Sequence, residues 1–566
     1  MTDPALVLEP WWAKFPDRLS WEIDELKARG IKFLLDEDAR AADIVRMRVW
    51  VPAPDDVVEL EVTFPDLYPL FRPSVNSTQL RLGHHFDPFG GDLCLIARGS
   101  RHWSEADSLG WLLKVQLPKV LADEIDPDQG EPISAFLNYR PNAALLVGEH
   151  SLSSTGEDRG VLEIAVSHLF PDGSGRWLGV VGSAPWDSGS MAAEIADSLV
   201  LNQRVQAGWV RLEGIPATNV ARELWKKDLI TPEHDLGGFS VAYQLVLFPE
   251  EHAPGEYGVG GVLLVRASDQ RPRGQRRRGG QRGPVMKADF GLVRISRVGT
   301  AFSSARIPEL HSLSSARILI VGCGALGSLV AEQLARAGVG KLILIDGDVL
   351  DAGNLVRHAA SLAEVGLTKA RAVAHLVRGA SPEISVEPLD FLVGTARSGD
   401  QGLSTSSTAK LVAAVNRVDV VVDATAEIAV HEVLSLMAFE AGVSLVVPEA
   451  SPGAWGGVVA SLPAGSEACG NCLEFHRQEG DVPAPPSDST RIQPIGCSEP
   501  TFTGSGFDLA EVAMQAVRMI VEATASSGPT TEATADVLQL RDTNGARTLP
   551  RWDRVTLPRH PHCGWH

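Results

Sequence analysis

The stretch Arg317–Ser328, RILIVGCGALGS, constrains the fold more than any other part of the 566-residue chain. Ile318, Leu319, Ile320 and Val321 form a continuous apolar run that ends on Gly322, Gly324 and Gly327, and a helical pattern follows. A buried strand, a tight glycine turn and a helix N-terminus in that order belong to a parallel α/β sheet. There the backbone N–H groups of the turn can approach a phosphate closely. The next strand, KLILID, ends on Asp346, at the distance where a carboxylate reaches ribose hydroxyls. Alone, this pattern would favour NAD or FAD. The strands VDVVVDAT and VSLVVPEA, each alternating with a helical run, extend the α/β pattern from about Met286 onward.

Length allows three or four domains, and 44% hydrophobic with 22% charged residues is the composition of a globular protein. The formal net charge of −20 argues against general nucleic-acid binding, so none is expected. The start, MTDPALVLEPWWAKFPDR, reads as no secretory signal, and no apolar run reaches the roughly 18–20 residues of a membrane span. A cytoplasmic location is the expectation. Composition shifts divide the chain at 1–148, 149–285 and 286–566. The first region has an amphipathic start, alternating strands such as VELEVTF and the helical run WLLKVQLPKVLADE. The second is mixed, and its Arg/Gly-rich segment 271–283 reads as an exposed loop or as a docking site for an acidic partner.

Six cysteines in a chain this long do not make a disulfide framework, and they sort by context. Cys323 lies in the glycine loop, and Cys94 and Cys497 stand alone. Cys469-Gly-Asn-Cys472 and Cys563-Gly-Trp-His566 are two matching pairs that suit a tetrahedral Cys₃His zinc site. His560, His562 or His476 are alternative fourth ligands. Cys497 precedes the helical run DLAEVAMQAVRMIV, where the helix dipole favours a thiolate; a buried structural cysteine is the other reading.

The stretch DGDVLDAGNLVRHAASLAEVGLTKARAVA, which begins at Asp346, resembles the ThiF/MoeB/ubiquitin-activating adenylyltransferase superfamily. The matching elements are Asp-x-Asp (Asp346, Asp348), Asn-Leu-x-Arg (Asn354, Arg357) and Gly-x-x-Lys-Ala (Lys369), in that order. The resemblance implies ATP and Mg²⁺, with Asp346 on the ribose, Asn354 and Arg357 on the triphosphate, and Lys369 neutralising its charge. Arg306 is a further candidate phosphate contact, or a surface ion pair. Ala426 stands where the superfamily has a Mg²⁺-binding aspartate, and Asp423 or Glu427 is expected to replace it. Members of the superfamily also carry a structural zinc at two places matching the Cys pairs. Ubiquitin-activating relatives place a thioester cysteine in the region of Cys497.

Around Cys94, FPDLYPLFRPSV, Gly91-Asp92-Leu93-Cys94-Leu95 and Trp103 resemble a ubiquitin-conjugating domain. Where that family has His-Pro-Asn, this chain has His84-His85-Phe86. Phe86 cannot stabilise an oxyanion as asparagine does, which leaves His84, His85 or Asp87 for that task.

The fold expectation is therefore an α/β multidomain chain. It has an N-terminal ubiquitin-conjugating-like α+β domain, a middle α+β region, and a C-terminal Rossmann-like adenylating domain with a zinc knuckle. The domain order resembles bacterial fusion proteins of ubiquitin-like conjugation from CBASS-type anti-phage operons. That resemblance implies adenylation of a protein C-terminal carboxylate, a thioester on Cys497, transfer to Cys94 and conjugation to a target amine. The implied partners are a protein with a free C-terminal tail (a nucleotidyltransferase or a ubiquitin-like protein) and a second copy in a homodimer. Other readings stay open: a sulfur-carrier activating enzyme, a non-catalytic scaffold binding ATP and a protein C-terminus, and, least supported, a nicotinamide oxidoreductase.

Overall fold

The computed structural model describes residues 9–52, 56–80, 82, 91–96, 103–122, 139–140, 142–148, 158–167, 176–183, 201, 203–213, 232–235, 239–253, 256–269, 289–298, 307–381, 384–394, 407–490, 492, 502–525 and 531–566. The chain forms two compact units. One comprises residues 1–145, 153–179 and 202–295; the other comprises 146–152, 180–201 and 296–566. Among the described residues no helix is long and apolar enough to cross a membrane.

The first unit begins with an antiparallel sheet of β1 (Lys32–Leu35), β2 (Arg46–Pro52), β3 (Val57–Thr63) and β4 (Ser74–Asn76), in that order. In β2 and β3 every second residue is buried, so one face meets a core and the other is more exposed. Helix Pro16–Ala28 buries Leu19 and Leu26 in a core with Trp11, Tyr68 and Leu112. Glu22 on the same helix is wholly buried, and it accepts hydrogen bonds from Tyr68 Oη, Arg18 Nη2 and the Leu109 N–H. Three donors offset the cost of removing that carboxylate from water. The chain is helical from Leu109 to Ala122, with a wide turn over Leu112–Gln116 immediately before Leu117 and Pro118.

Between residues 143 and 298, the regular elements among the described residues are strands. They are β5 (Ala143–Gly148), β6 (Arg159–Val166), β7 (Trp177–Ser183), β8 (Gln203–Arg211), β9 (Glu233–Asp235), β10 (Phe239–Ala253), β11 (Glu256–Asp269) and β12 (Asp289–Val298). Their order is β11-β12-β5-β7-β6-β8-β10-β9.

The second unit is built on an eight-stranded sheet. Its strands are β13 (Arg317–Val321), β14 (Lys341–Ile345), β15 (Ser385–Leu389), β16 (Val420–Asp423), β17 (Ser444–Ala450), β18 (Gly456–Leu462), β19 (Thr534–Arg541) and β20 (Arg547–Thr556). The order is β15-β14-β13-β16-β17-β18-β19-β20. The first five are parallel, and β18 to β20 run on as an antiparallel meander. Strands β13, β14 and β16 are buried on both faces, which is why they read as unbroken apolar runs. Helices Ala325–Arg336, Lys369–Ala380 and Gly506–Ala523 supply residues to one core cluster. Helices Ser407–Val415, Ile428–Ala441 and Gly470–Glu479 supply another. The strand order reverses between β13 and β16, and the crevice at such a switch point is where open α/β sheets bind ligands.

Candidate functional site

The C-terminal end of β13 delivers the glycine loop into that crevice. Gly322 has φ of +86°, and a Cβ there would lie 2.7 Å from the Ala424 carbonyl of the neighbouring loop. A Cβ on Gly327 would fall 1.9 Å from the Gly322 carbonyl, so helix Ala325–Arg336 sits directly against the turn it follows. At Gly324, the N-cap of that helix, a Cβ meets nothing within 4 Å. The space above Gly324 is open, as phosphate approach requires.

Asp346 closes β14 beneath this loop. Its Oδ2 accepts the Cys323 N–H at 2.8 Å, and its Oδ1 accepts the Asp348 N–H at 2.8 Å. Burial raises its pKa, and the two N–H bonds and the Lys369 charge oppose that rise. Lys369, the first residue of helix Lys369–Ala380, pairs its Nζ with Asp348 Oδ2 at 2.8 Å. Burial also pushes the Cys323 thiol well up, so this cysteine is packing and not a nucleophile.

The Asn354–Arg357 segment is held from several directions. Asn354 Oδ1 accepts the Asp351 N–H at 3.0 Å, and Arg357 Nη1 donates to the Phe502 carbonyl at 3.1 Å. His358 Nε2 lies 2.9 Å from the Cys323 carbonyl, and the Ala359 N–H donates to Ser328 Oγ at 3.1 Å. The structure thus links the glycine loop to Asp346, Asp348 and Lys369, and brings the segment of Asn354 and Arg357 to the loop through His358. His358 and Ser328 were not singled out from sequence, although His358 directly follows Arg357 in the motif.

At the end of β16 lies Asp423, one of the two carboxylates expected to hold Mg²⁺. Asp423 is only 3% exposed, and its Oδ1 accepts from Thr425 N (3.2 Å) and Thr425 Oγ1 (2.7 Å). Its Oδ2 lies 3.0 Å from His431 Nδ1, so each oxygen has a hydrogen-bond partner. His431 also approaches Glu474 at 3.5 Å, and Arg477 bridges Glu474 (2.9 Å) and Glu449 (3.0 Å). Burial disfavours charge on His431, yet the bonds to Asp423 and Glu474 prevail and raise its pKa to about 9. Ala426, next to this network, holds φ of +56°, a left-handed conformation that costs a non-glycine residue about 1 kcal/mol or more. Glu427 is exposed at the N-cap of helix Ile428–Ala441. A cavity of about 70 Å³ lies among Ala426, Glu427, His431 and Glu449. A larger one, about 750 Å³, lies in the first unit among Trp11, Phe15, Arg18 and Tyr68, away from these residues in the chain.

The two cysteine pairs meet. One ligand atom from each of Cys469, Cys472, Cys563 and His566 lies within 4.8 Å of the others. Cys469 Sγ is 3.8 Å from Cys472 Sγ and 3.5 Å from Cys563 Sγ, and Cys472 Sγ is 3.6 Å from His566 Nε2. Zn–S bonds of about 2.3 Å in a tetrahedron place sulfurs roughly 3.8 Å apart, so the donor set fits zinc in kind and size. The His560 N–H donates to Cys472 Sγ at 3.3 Å, the kind of contact that supports a thiolate ligand. The other histidines are engaged elsewhere: His476 with Asp481 and the Pro558 carbonyl, His560 with Glu479.

In the first unit Cys94 is half-buried, with Sγ 3.5 Å from the Ile96 carbonyl. Its strand is fixed by the Leu93 N–H to Val75 O bond (2.8 Å) and by the Asn76–Asp92 bridge. Trp103 Nε1 donates to the Pro69 carbonyl at 2.8 Å. Cys497, Arg306, His84, His85, Phe86, Asp87 and the segment 271–283 lie outside the described residues.

Residues 297–563 match the ThiF family. The uncharacterized protein y4oA of Sinorhizobium fredii is 28% identical, and the alignment covers 98% of this chain and 97% of that protein. The molybdopterin-synthase adenylyltransferase of Escherichia coli is 34% identical over 24% of this chain and 50% of its own length. The ATP-dependent ubiquitin transferase-like protein Cap2 of Enterobacter hormaechei is 25% identical over 48% of this chain and 43% of its own. With the strand and glycine loop linked to the segments that carry the acidic, arginine and lysine residues, residues 297–563 are a ThiF/MoeB-like adenylyltransferase domain with E1-like homologues.

Proposed function

We propose that the chain activates the C-terminal carboxylate of a protein with ATP and passes the acyl group through two thiols to an amine. The observation that carries this reading is the glycine loop, whose Cys323 is tied to Asp346 and to His358 next to Arg357, with Lys369 paired to Asp348 beside them. A carboxylate oxygen attacks the α-phosphorus of ATP and pyrophosphate leaves. Arg357 and Lys369 face the negative charge that grows on the phosphates, and the loop N–H groups at Gly324 receive one phosphate. Arg357 takes this role on turning from the Phe502 carbonyl to the nucleotide. Asp346 orients the ribose. The Cys497 thiolate then attacks the acyl carbon and AMP leaves. The Cys94 thiolate attacks the new thioester and releases Cys497. An amine nitrogen finally attacks the Cys94 thioester, loses a proton and forms the amide as the C–S bond breaks and the Cys94 thiolate leaves. The relative named as a ubiquitin transferase-like protein supports this reading.

Mg²⁺ is ordinarily held by one or two carboxylates together with substrate phosphates. Asp423, which is buried and hydrogen-bonded, or the exposed Glu427 would hold it in place of the aspartate that Ala426 replaces, and the ion would supply charge neutralisation. Cys469, Cys472, Cys563 and His566 would hold a structural zinc. The domain limits 1–148, 149–285 and 286–566, a homodimer, a cytoplasmic location and a part in anti-phage defence belong to the same proposal. Ala426 favours a second reading, a scaffold that binds ATP and a protein C-terminus without turnover.

Incubation with ATP, Mg²⁺ and host lysate, followed by non-reducing electrophoresis and mass spectrometry, separates the two. In Cys94→Ser an ATP-dependent adduct should form on the new serine and survive thiol treatment. Adding Cys497→Ala should remove it. The absence of any adduct in every form, with the carrier shown to be present, selects the scaffold.

A further inference from the structure

His358 is 7% exposed and sits between the two segments that the nucleotide must touch. Its Nδ1 accepts the Ala360 N–H at 3.0 Å, so that nitrogen carries no proton. Its Nε2 lies 2.9 Å from the Cys323 carbonyl, so that nitrogen must carry one. Only the neutral ring with hydrogen on Nε2 satisfies both contacts. We propose that His358 is a positioning residue for the nucleotide, donating from Nε2 to the Cys323 carbonyl and so locking the glycine loop against the segment that carries Asn354 and Arg357. The inference rests on the nucleotide site proposed above.

Cys323 is the hinge of this arrangement. Its N–H is bound by Asp346 and its carbonyl by His358, so both polar groups of one loop residue are tied at 2.8 and 2.9 Å. The following residue, Gly324, is the one whose open face receives phosphate. The adjacent Ala359 N–H reaches Ser328 Oγ (3.1 Å), and that hydroxyl donates to the Ala325 carbonyl (3.2 Å). Two consecutive residues after Arg357 therefore grip the loop and the first helical turn behind it. Fixing both segments before the ligand arrives lowers the ordering cost of binding.

The clamp is sensitive to protonation. A second proton on His358 would set Nδ1–H against the Ala360 N–H and break that contact. Burial lowers the pKa of His358 and Lys369 adds to this, while the Cys323 carbonyl, Asp346 and Glu364 oppose it. The released ring takes a proton near pH 6.5, so the clamp is fully formed above that value and weakens as pH falls below it.

Titration calorimetry of the full chain with α,β-methylene-ATP and Mg²⁺ tests this with wild type, His358→Gln, His358→Ala and Lys369→Ala. At pH 7.5, His358→Ala should bind about 3–10-fold more weakly, the value of one lost hydrogen bond, and His358→Gln should stay near wild type because its amide still donates. Phosphate itself titrates near pH 6, so the pH readout is the ratio of wild-type to His358→Gln affinity at each pH. That ratio should fall several-fold from pH 7.5 to 5.5. A purely structural histidine would lower thermal stability and leave both readouts unmoved. The proposal is overturned if Lys369→Ala weakens binding while His358→Ala does not, or if the ratio is flat with pH. The ratio decides alone if His358→Ala does not fold. If wild type fails to bind, or Lys369→Ala binds like wild type, the nucleotide site itself is wrong and the proposal falls with it.

Discussion

At the residue scale, the glycines of the loop do different work, and substitution should separate them. Gly327→Ala forces a methyl into the Gly322 carbonyl at 1.9 Å, a backbone clash with no side chain free to yield. We expect a loss of about 1–3 kcal/mol, read as a lowered thermal midpoint, together with loss of ATP binding. Gly324→Ala meets no atom within 4 Å, so stability should change by about 1 kcal/mol or less while ATP affinity drops, because the methyl occupies the face a phosphate must approach. Equal destabilisation by both would contradict this division. His431 offers a second test. Its pKa is raised from the ordinary 6.5 to about 9, so its ion pairs stabilise the fold fully below pH 6.5. That contribution, on the order of 2–3 kcal/mol, is lost as pH rises through about 9. Unfolding of wild type and His431→Gln at pH 6, 8 and 9.5 should show the gap between them closing.

At the element scale, the Cys/His cluster joins the start of helix Gly470–Glu479 to the segment after β20, 94 residues away along the chain between Cys469 and Cys563. Burial, with the neighbouring Cys563 and Cys472 sulfurs adding to it, pushes the Cys469 thiol up to about 12, so charge on that sulfur is disfavoured without an ion. Bound zinc would deprotonate the thiols and supply on the order of 10 kcal/mol of local folding energy. Metal analysis of the purified protein should find about one zinc per chain. Cys563→Ser should lower the zinc content and speed proteolysis beyond Thr556. Zinc-free protein of unchanged stability would show that the cluster is packing only. Helix Gly506–Ala523 is anchored separately, by Arg547 to Asp508 at 3.0 and 2.9 Å, close to its start.

At the scale of the whole molecule, activation and final transfer are assigned to different units, so they should fail independently. Lys369→Ala should abolish the ATP-dependent adduct on Cys94 and leave alkylation of Cys94 by iodoacetamide unchanged. Cys94→Ala should leave affinity for α,β-methylene-ATP unchanged and remove only the conjugate. Loss of nucleotide binding in Cys94→Ala would mean that the thiol and the nucleotide site are coupled. The full-length likeness to y4oA shows that both units recur together in another protein.

Much of the adenylating sheet was legible because its determinants are local. Strands β13, β14, β16 and β17 are apolar runs, and a glycine at φ of +86° followed by a helix start is recognisable within a dozen residues. The spacing of Asp346, Asn354, Arg357 and Lys369, and the two Cys pairs, also lie in short windows. Strand β15 was not legible, since Ser385, Glu387 and Pro388 give it no apolar run. The meander β18–β20 escaped too, because β18 pairs with β19 across about seventy residues of intervening chain. The surroundings of Asp423 were hidden for another reason. Thr425 and His431 lie only two and eight residues on, and it is the local path of the loop and helix start that brings them to it. Its position at the end of a strand suggested a metal ligand, and folding brings His431 and Thr425 onto its two oxygens. Sequence alone determined which chemistry the loop and its charged residues can support, because strand burial, turn geometry and residue type are set within a few residues. Tertiary structure alone decided which polar groups meet across the chain: His358 reaches the Cys323 carbonyl, 35 residues earlier, only because folding brings the two segments within hydrogen-bond reach.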